Sequence, residues 1–236
     1  MKGLSKMSFA LVTVLLAGIF VLVRVAPALA DDATEAKQLV EKAKMSFASF
    51  QTAKEMEGFR DLVKKAKGVF IAPQVLKGAF IVGVSGGSGV LLARDTKTNK
   101  WYGPAFYTMG GASFGLQIGG AASEVILLAM TDRGVTAFLS NSIKLGGDVG
   151  LAVGPFGAGA AASTANLSAD ILSFSRSKGL YGGVSLDGAV VATRDGLNDA
   201  YYGKKVNSTD ILVRHSVENQ ESAGLINEVD KATAAK

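Results

Sequence analysis

Gly83-Val84-Ser85-Gly86-Gly87 has the Gly-x-Ser-x-Gly spacing of a nucleophile elbow, and the one histidine of the chain, His215, lies downstream of it. A serine activated by that imidazole would do acyl transfer. An elbow needs a helix directly after its serine. Here Gly86-Gly87-Ser88-Gly89 leads into a strand-like Val90-Leu91-Leu92, which reads as a Gly-rich hairpin. A serine hydrolase using Ser85 and His215 therefore stands as the remote alternative. The same Gly-Gly-Ser-Gly run could hold an anion on successive backbone N–H groups, but no Gly-Lys-Ser/Thr follows it. With no cysteine and one histidine there is no thiolate nucleophile, no disulfide and no metal-ligand spacing. Neither a metal nor a cofactor is expected. Asp95 and Asp195 each follow an arginine, which reads as a turn-stabilising ion pair rather than a catalytic carboxylate pair.

The densest basic cluster is Lys64, Lys65 and Lys67. Two uses are open to it: compensating a helix dipole at its carboxyl end, or facing an anionic ligand. The elements around it follow from periodicity. Leu39, Ala43, Phe47 and Phe50 recur at helical spacing within residues 33–66, with Gly58 expected to break this stretch into a long and a short helix. From Gly68 to Gly203, short Val/Ile/Phe/Tyr runs alternate with Gly pairs and read as strands at 68–71, 79–82, 89–92, 124–128 and 189–192. Residues 131–140 are the best further helix. The absence of regular strand–helix alternation argues against a doubly wound parallel sheet. Residues 83–103 and 183–203 echo each other without a gap, from Gly-Val-Ser to Tyr-Gly, and imply two related β units. Residues 204–236 read as a polar carboxyl-terminal tail with one helix near 212–229.

At the amino terminus Lys2 and Lys6 precede an apolar run, Met7 to Val23, and Ala28-Leu29-Ala30. That order predicts a secretory signal peptide over residues 1–30, cleaved after Ala30. The segment carries three bases and no acid, so 25 bases become 22 against 20 acids, a net +2. Nucleic-acid binding driven by bulk charge is excluded at that balance. The 48% apolar content is too high for disorder, and 29 glycines are too many for a helical bundle.

Seven blocks in order resemble a known family. They run from Ala66-Lys67-Gly68-Val69-Phe70-Ile71-Ala72-Pro73, through Gly83 to Arg94 and Trp101-Tyr102-Gly103-Pro104, to Ser113 to Gly119 and Ser123-Glu124-Val125-Ile126-Leu127-Leu128. Phe174-Ser175-Arg176-Ser177-Lys178-Gly179-Leu180-Tyr181 and Gly183 to Gly188 complete the set. Together these residues resemble the SYLF domain family, over roughly residues 35–203. The resemblance implies a non-enzymatic domain that binds anionic phospholipid, phosphoinositides in relatives, through an amphipathic amino-terminal helix and a basic surface. Lys64, Lys65, Lys67 and Lys77 are its first candidate contacts, with Arg133 and Lys178 after them. The expected fold class is α+β, with amino-terminal helices packed on a largely antiparallel, Gly-rich β domain at residues 31–203. Combined with the export signal, the resemblance implies an exported bacterial protein that is periplasmic or envelope-associated. Its partners would be anionic lipid head groups or a membrane surface, and actin is unlikely. A scaffolding envelope protein without a lipid ligand is the alternative.

Overall fold

The computed structural model describes residues 32–79, 82–114, 119–155, 168–177, 179–182 and 186–234. It opens with α1 (Asp32–Thr52), a 3-10 turn (Lys54–Met56) and α2 (Glu57–Val63). Four long strands follow: β1 (Gly68–Ala79), β2 (Val82–Arg94), β3 (Trp101–Phe114) and β4 (Gly119–Ala129), of which β1 and β2 form an antiparallel hairpin while β3 pairs with β2 and β4 pairs with β1. Next come α3 (Asp132–Ala137), β5 (Ser142–Lys144), β6 (Leu151–Val153), β7 (Ile171–Ser177), β8 (Leu180–Gly182) and β9 (Val190–Thr193). The chain closes with α4 (Asp195–Tyr202), α5 (Ser208–Leu212) and α6 (Ala223–Ala234). Among the described residues the strands form one sheet in the order β5-β9-β3-β2-β1-β4-β7-β6, with β8 on β7. Every pairing is antiparallel except β6 on β7. The α+β class is as expected from the sequence.

Strand alternation gives the sheet two apolar faces. Val69, Ile71, Val90, Leu92, Ile126, Leu128 and Phe174 pack against α1, α2, α4 and α6. Phe70, Leu91, Tyr107, Leu127 and Ile171 face the other way, against Phe138, Ile143, Ile211 and Leu212. α1 buries Leu39, Ala43, Phe47 and Phe50, the stripe that its sequence announced.

Local departures from expectation have local causes. The first helical stretch breaks at Ala53, not at Gly58. The Ala53 carbonyl accepts from the Met56 N–H at 3.2 Å and from Arg60 Nη1 at 2.6 Å, while Gly58 lies buried within α2. The echo of 83–103 in 183–203 does not persist in shape. Asp95 begins a turn, accepting from the Lys97 and Thr98 N–H groups at 2.7 and 2.9 Å, whereas Asp195 begins α4, which buries Leu197. The expected Arg–Asp pairs are not formed either. Arg94 donates to the Lys64 carbonyl and Arg194 reaches Glu35 at 2.5 Å. Residues 204–236, read as a polar tail, carry α5 and α6, and bury Ile211, Leu212, Leu225 and Val229.

Candidate functional site

α1 lies across the strands rather than along them. Glu35, in its first turn, pairs with Arg194, which also donates to Ser88 of β2 at 2.8 Å. Ser46 donates to Glu124 of β4 at 2.8 Å. Ser49 accepts from Arg176 of β7 at 2.6 Å and shares a 2.6 Å hydrogen bond with the Tyr181 hydroxyl of β8. Arg176 also forms an ion pair with Glu124 and stands 5.5 Å over the Tyr181 ring. Glu124 is the main reason the Arg176 guanidinium holds its proton even more firmly than usual. Glu124, Arg176 and Tyr181 come from separate sequence blocks and meet only in the fold.

Two adjoining clefts follow the helix. β1 bulges at Pro73 and Gln74, where its register slips against both β2 and β4. The bulge opens a cleft of about 460 Å³ lined by Lys42, Met45, Ser46, Gln74, Glu124 and Arg176. A second of about 220 Å³ continues toward Glu35, Gln38, Leu76 and Ser88. Lys42, Pro73 and Gln74 line both. Lys42 is exposed where the clefts meet, with no ion-pair partner among the described residues. Met45 beside it is 61% exposed and Leu76 is 55% exposed. Lys42 and Met45 escaped the sequence reading because they sit on an ordinary helix; only the bulge opposite makes them cleft residues.

The five basic candidates among the described residues are not gathered into one patch. Lys64, Lys65 and Lys67 follow α2, and Lys67 binds Asp132 at 2.7 Å while Lys64 lies 3.6 Å from Asp61. Lys65 is exposed with no partner among the described residues. Lys77 stands near the other end of β1, about 30 Å along the strand from Lys67 at 3.3 Å per residue. Arg133 is 3.7 Å from Asp170 and donates to the Asp148 carbonyl. Lys178 lies outside the described residues. Insertion of the apolar stripe of α1 into a membrane does not fit this fold, because Phe47 and Phe50 are fully buried.

The hydrolase alternative fails on geometry. Ser85 lies in β2 and donates to the Gly111 carbonyl at 3.3 Å. His215 stacks on Tyr102, centroids 3.4 Å apart, and Tyr102 pairs with Ala93, eight residues along β2 from Ser85. That separation is about 26 Å, far beyond hydrogen-bond reach. Among the described residues no cluster of His, Asp and Glu could hold a metal ion.

A protein-family profile described as "Ysc84: Las17-binding protein actin regulator" matches residues 110–232. Human SH3 domain-containing YSC84-like protein 1 is 35% identical over 153 residues, 64% of this chain and 44% of that protein. Protein YSC84 of Saccharomyces cerevisiae is 36% identical over 156 residues, covering 64% and 33%. LAS seventeen-binding protein 3 of the same yeast is 33% identical over 186 residues, covering 75% and 40%. The chain thus spans less than half the length of these curated relatives. The family is described by what it binds and regulates, and the chain is a binding module, not an enzyme. These matches overturn the reading of an exported bacterial protein of the periplasm or envelope, since the relatives are eukaryotic proteins of an actin-regulator family. They equally overturn the expectation that actin is an unlikely partner. The signal peptide expected at residues 1–30 lies outside the described residues.

Proposed function

The chain belongs to the Ysc84 family of Las17-binding actin regulators, and from that premise we propose a non-enzymatic adaptor that joins an anionic phospholipid surface to an actin-regulating assembly. The observation that supports lipid contact is the free Lys42 at the meeting point of two clefts, beside the exposed Met45. A cation next to an exposed apolar side chain is what interfacial docking uses: the amine meets head-group phosphate while the thioether chain leaves water. Lys65 and Lys77 supply further unpaired charge elsewhere on the module.

Flotation of the full chain tests this, with neutral phosphatidylcholine vesicles against the same vesicles carrying phosphatidylserine or a phosphoinositide. Flotation on the anionic vesicles alone is expected. Lys42→Gln should weaken it about fivefold at low salt, since a lysine near such a surface contributes on the order of 1 kcal/mol. The loss should shrink as salt rises. A chain that floats on no anionic vesicle leaves an adaptor whose contacts are all to protein.

A further inference from the structure

Beyond α1, four strands continue in the order β3-β2-β1-β4. Their ladders are unbroken from Val75↔Gly87 to Ala79↔Gly83, from Gly87↔Met109 to Val82↔Phe114, and from Val75↔Ser123 to Ala79↔Gly119. The flanking strands stop short of this end: β9 pairs with β3 from Tyr107 as far as Gly110, and β7 pairs with β4 from Ala129 as far as Ser123. Beyond those points the four strands have no further flanking strand among the described residues.

Its chemistry is unusual for a surface in water. Residues 75–79, 82–88, 108–114 and 119–123 contain no aspartate or glutamate, and Lys77 is their one charge. Leu76, Gly86 and Ala122 are exposed. Glu35 and Glu124, at the level of α1, are each paired with an arginine. Exposed antiparallel sheet is ordinarily polar on its wet face. Here the exposed residues that are described are Leu76, Gly86 and Ala122 with Lys77 and Thr108, while the inner backbone groups are satisfied within the ladders and can leave water at little cost.

We propose that this ribbon is the part of the molecule that enters the lipid interface, with the plane of α1 near the head groups; this rests on the lipid-binding reading above. The five pairs from Val75 to Ala79 advance about 13 Å. That depth suits one leaflet and is too short to cross a hydrocarbon core of about 30 Å. Lys42 and Lys77 then stand nearest the head-group phosphates, with Glu35 and Glu124 beside Lys42 already held by arginines.

The chain has no cysteine, so single cysteines can carry an environment-sensitive NBD label on the full-length protein. Leu76→Cys and Ala122→Cys place it on the ribbon, and Lys97→Cys places it on the turn at the opposite end of β2. With phosphatidylserine vesicles, the labels at 76 and 122 should shift to the blue and be quenched by brominated acyl chains, and the label at 97 should do neither. Leu76→Glu should lower vesicle affinity at least tenfold without moving the thermal midpoint. Flotation with unquenched labels at 76 and 122 would overturn the ribbon while leaving lipid binding intact. Loss of flotation by the unmodified chain would overturn both. A blue shift without vesicles that grows with protein concentration would assign the ribbon to a second copy of the chain, and quenching at 97 would reverse the orientation.

Discussion

Glu124 and Arg176 sit 52 residues apart and join α1 to β4, β7 and β8 through Ser46, Ser49 and Tyr181. Their side chains are 22% and 30% exposed, buried enough that an orphaned partner is costly. Glu124→Gln and Arg176→Met should each lower stability by about 1–3 kcal/mol, and the double variant by clearly less than the sum. A urea double-mutant cycle measures this, and additive losses would show that the pair is not coupled. The lysines after α2 separate by the same logic. Lys67→Gln should cost about 0.2–1 kcal/mol through its surface pair with Asp132. Lys65→Gln should leave both urea stability and anionic-vesicle binding unchanged, because Lys65 stands at the Gly68 end of β1, away from the ribbon and beyond a Debye length from it. Equal effects of the two on stability would contradict that division.

At the scale of elements, α1 is a core helix. Phe47 is fully buried and meets Phe59 edge-on at 5.9 Å, whereas Met45 two residues earlier is largely exposed. Phe47→Ala should cost about 3–5 kcal/mol, and Met45→Ala should stay within about 0.5 kcal/mol. Comparable losses at both sites, read by thermal melts, would mean that α1 is not docked as described. The α3 region responds to acid. Asp170 accepts from the Thr131 hydroxyl at 2.6 Å and from the Gly150 N–H at 3.1 Å, and the Thr131 bond above all holds its carboxyl below the usual carboxylate range. A depressed carboxyl stabilises the fold above its unfolded value, near 3.9, and that contribution is lost as pH falls through the folded value. Amide exchange at Gly134 and Gly150 should therefore quicken below about pH 4, before the sheet opens, and Asp170→Asn should remove the pH step. The helical period of α1 was legible in Leu39, Ala43, Phe47 and Phe50. The break at Ala53 was not, because it depends on the guanidinium of Arg60 reaching back seven residues.

For the whole molecule, the last thirty residues complete the helical layer. Leu225 and Val229 are fully buried in the same cluster as Phe47 and Phe59, and Trp101 Nε1 donates to Thr233 at 3.1 Å. Trp101 is the only tryptophan and is 4% exposed, so its emission reports on this contact. A chain ending at Gly203 should show red-shifted tryptophan emission and a lowered melting temperature. Unchanged emission would mean that α6 is dispensable to the core. The match of the family profile as far as residue 232 accords with α6 being part of the module.

The sequence alone determined the α+β class, the buried stripe of α1 and the family blocks, because each is written in local periodicity or short-range pattern. It misplaced strand ends: 79–82 read as one strand, whereas β1 ends at Ala79 and β2 begins at Val82, and Gly86 to Gly89 read as a hairpin, whereas they lie inside β2, held by ladders on both sides. It overstated the echo between 83–103 and 183–203, since identical Arg-Asp pairs open a turn in one copy and a helix in the other. Where Leu197 can be buried, the chain coils to bury it. Tertiary structure decided the rest. It brought Glu124, Arg176, Tyr181 and Ser49 together, and it set Lys77 at the far end of β1 from Lys64, Lys65 and Lys67. By laying α1 across the strands at the bulge of Pro73 and Gln74, it opened the clefts and left the acid-free ribbon beyond them. Such features depend on which strands lie side by side and where their flanking neighbours stop, and side-chain periodicity carries no record of either.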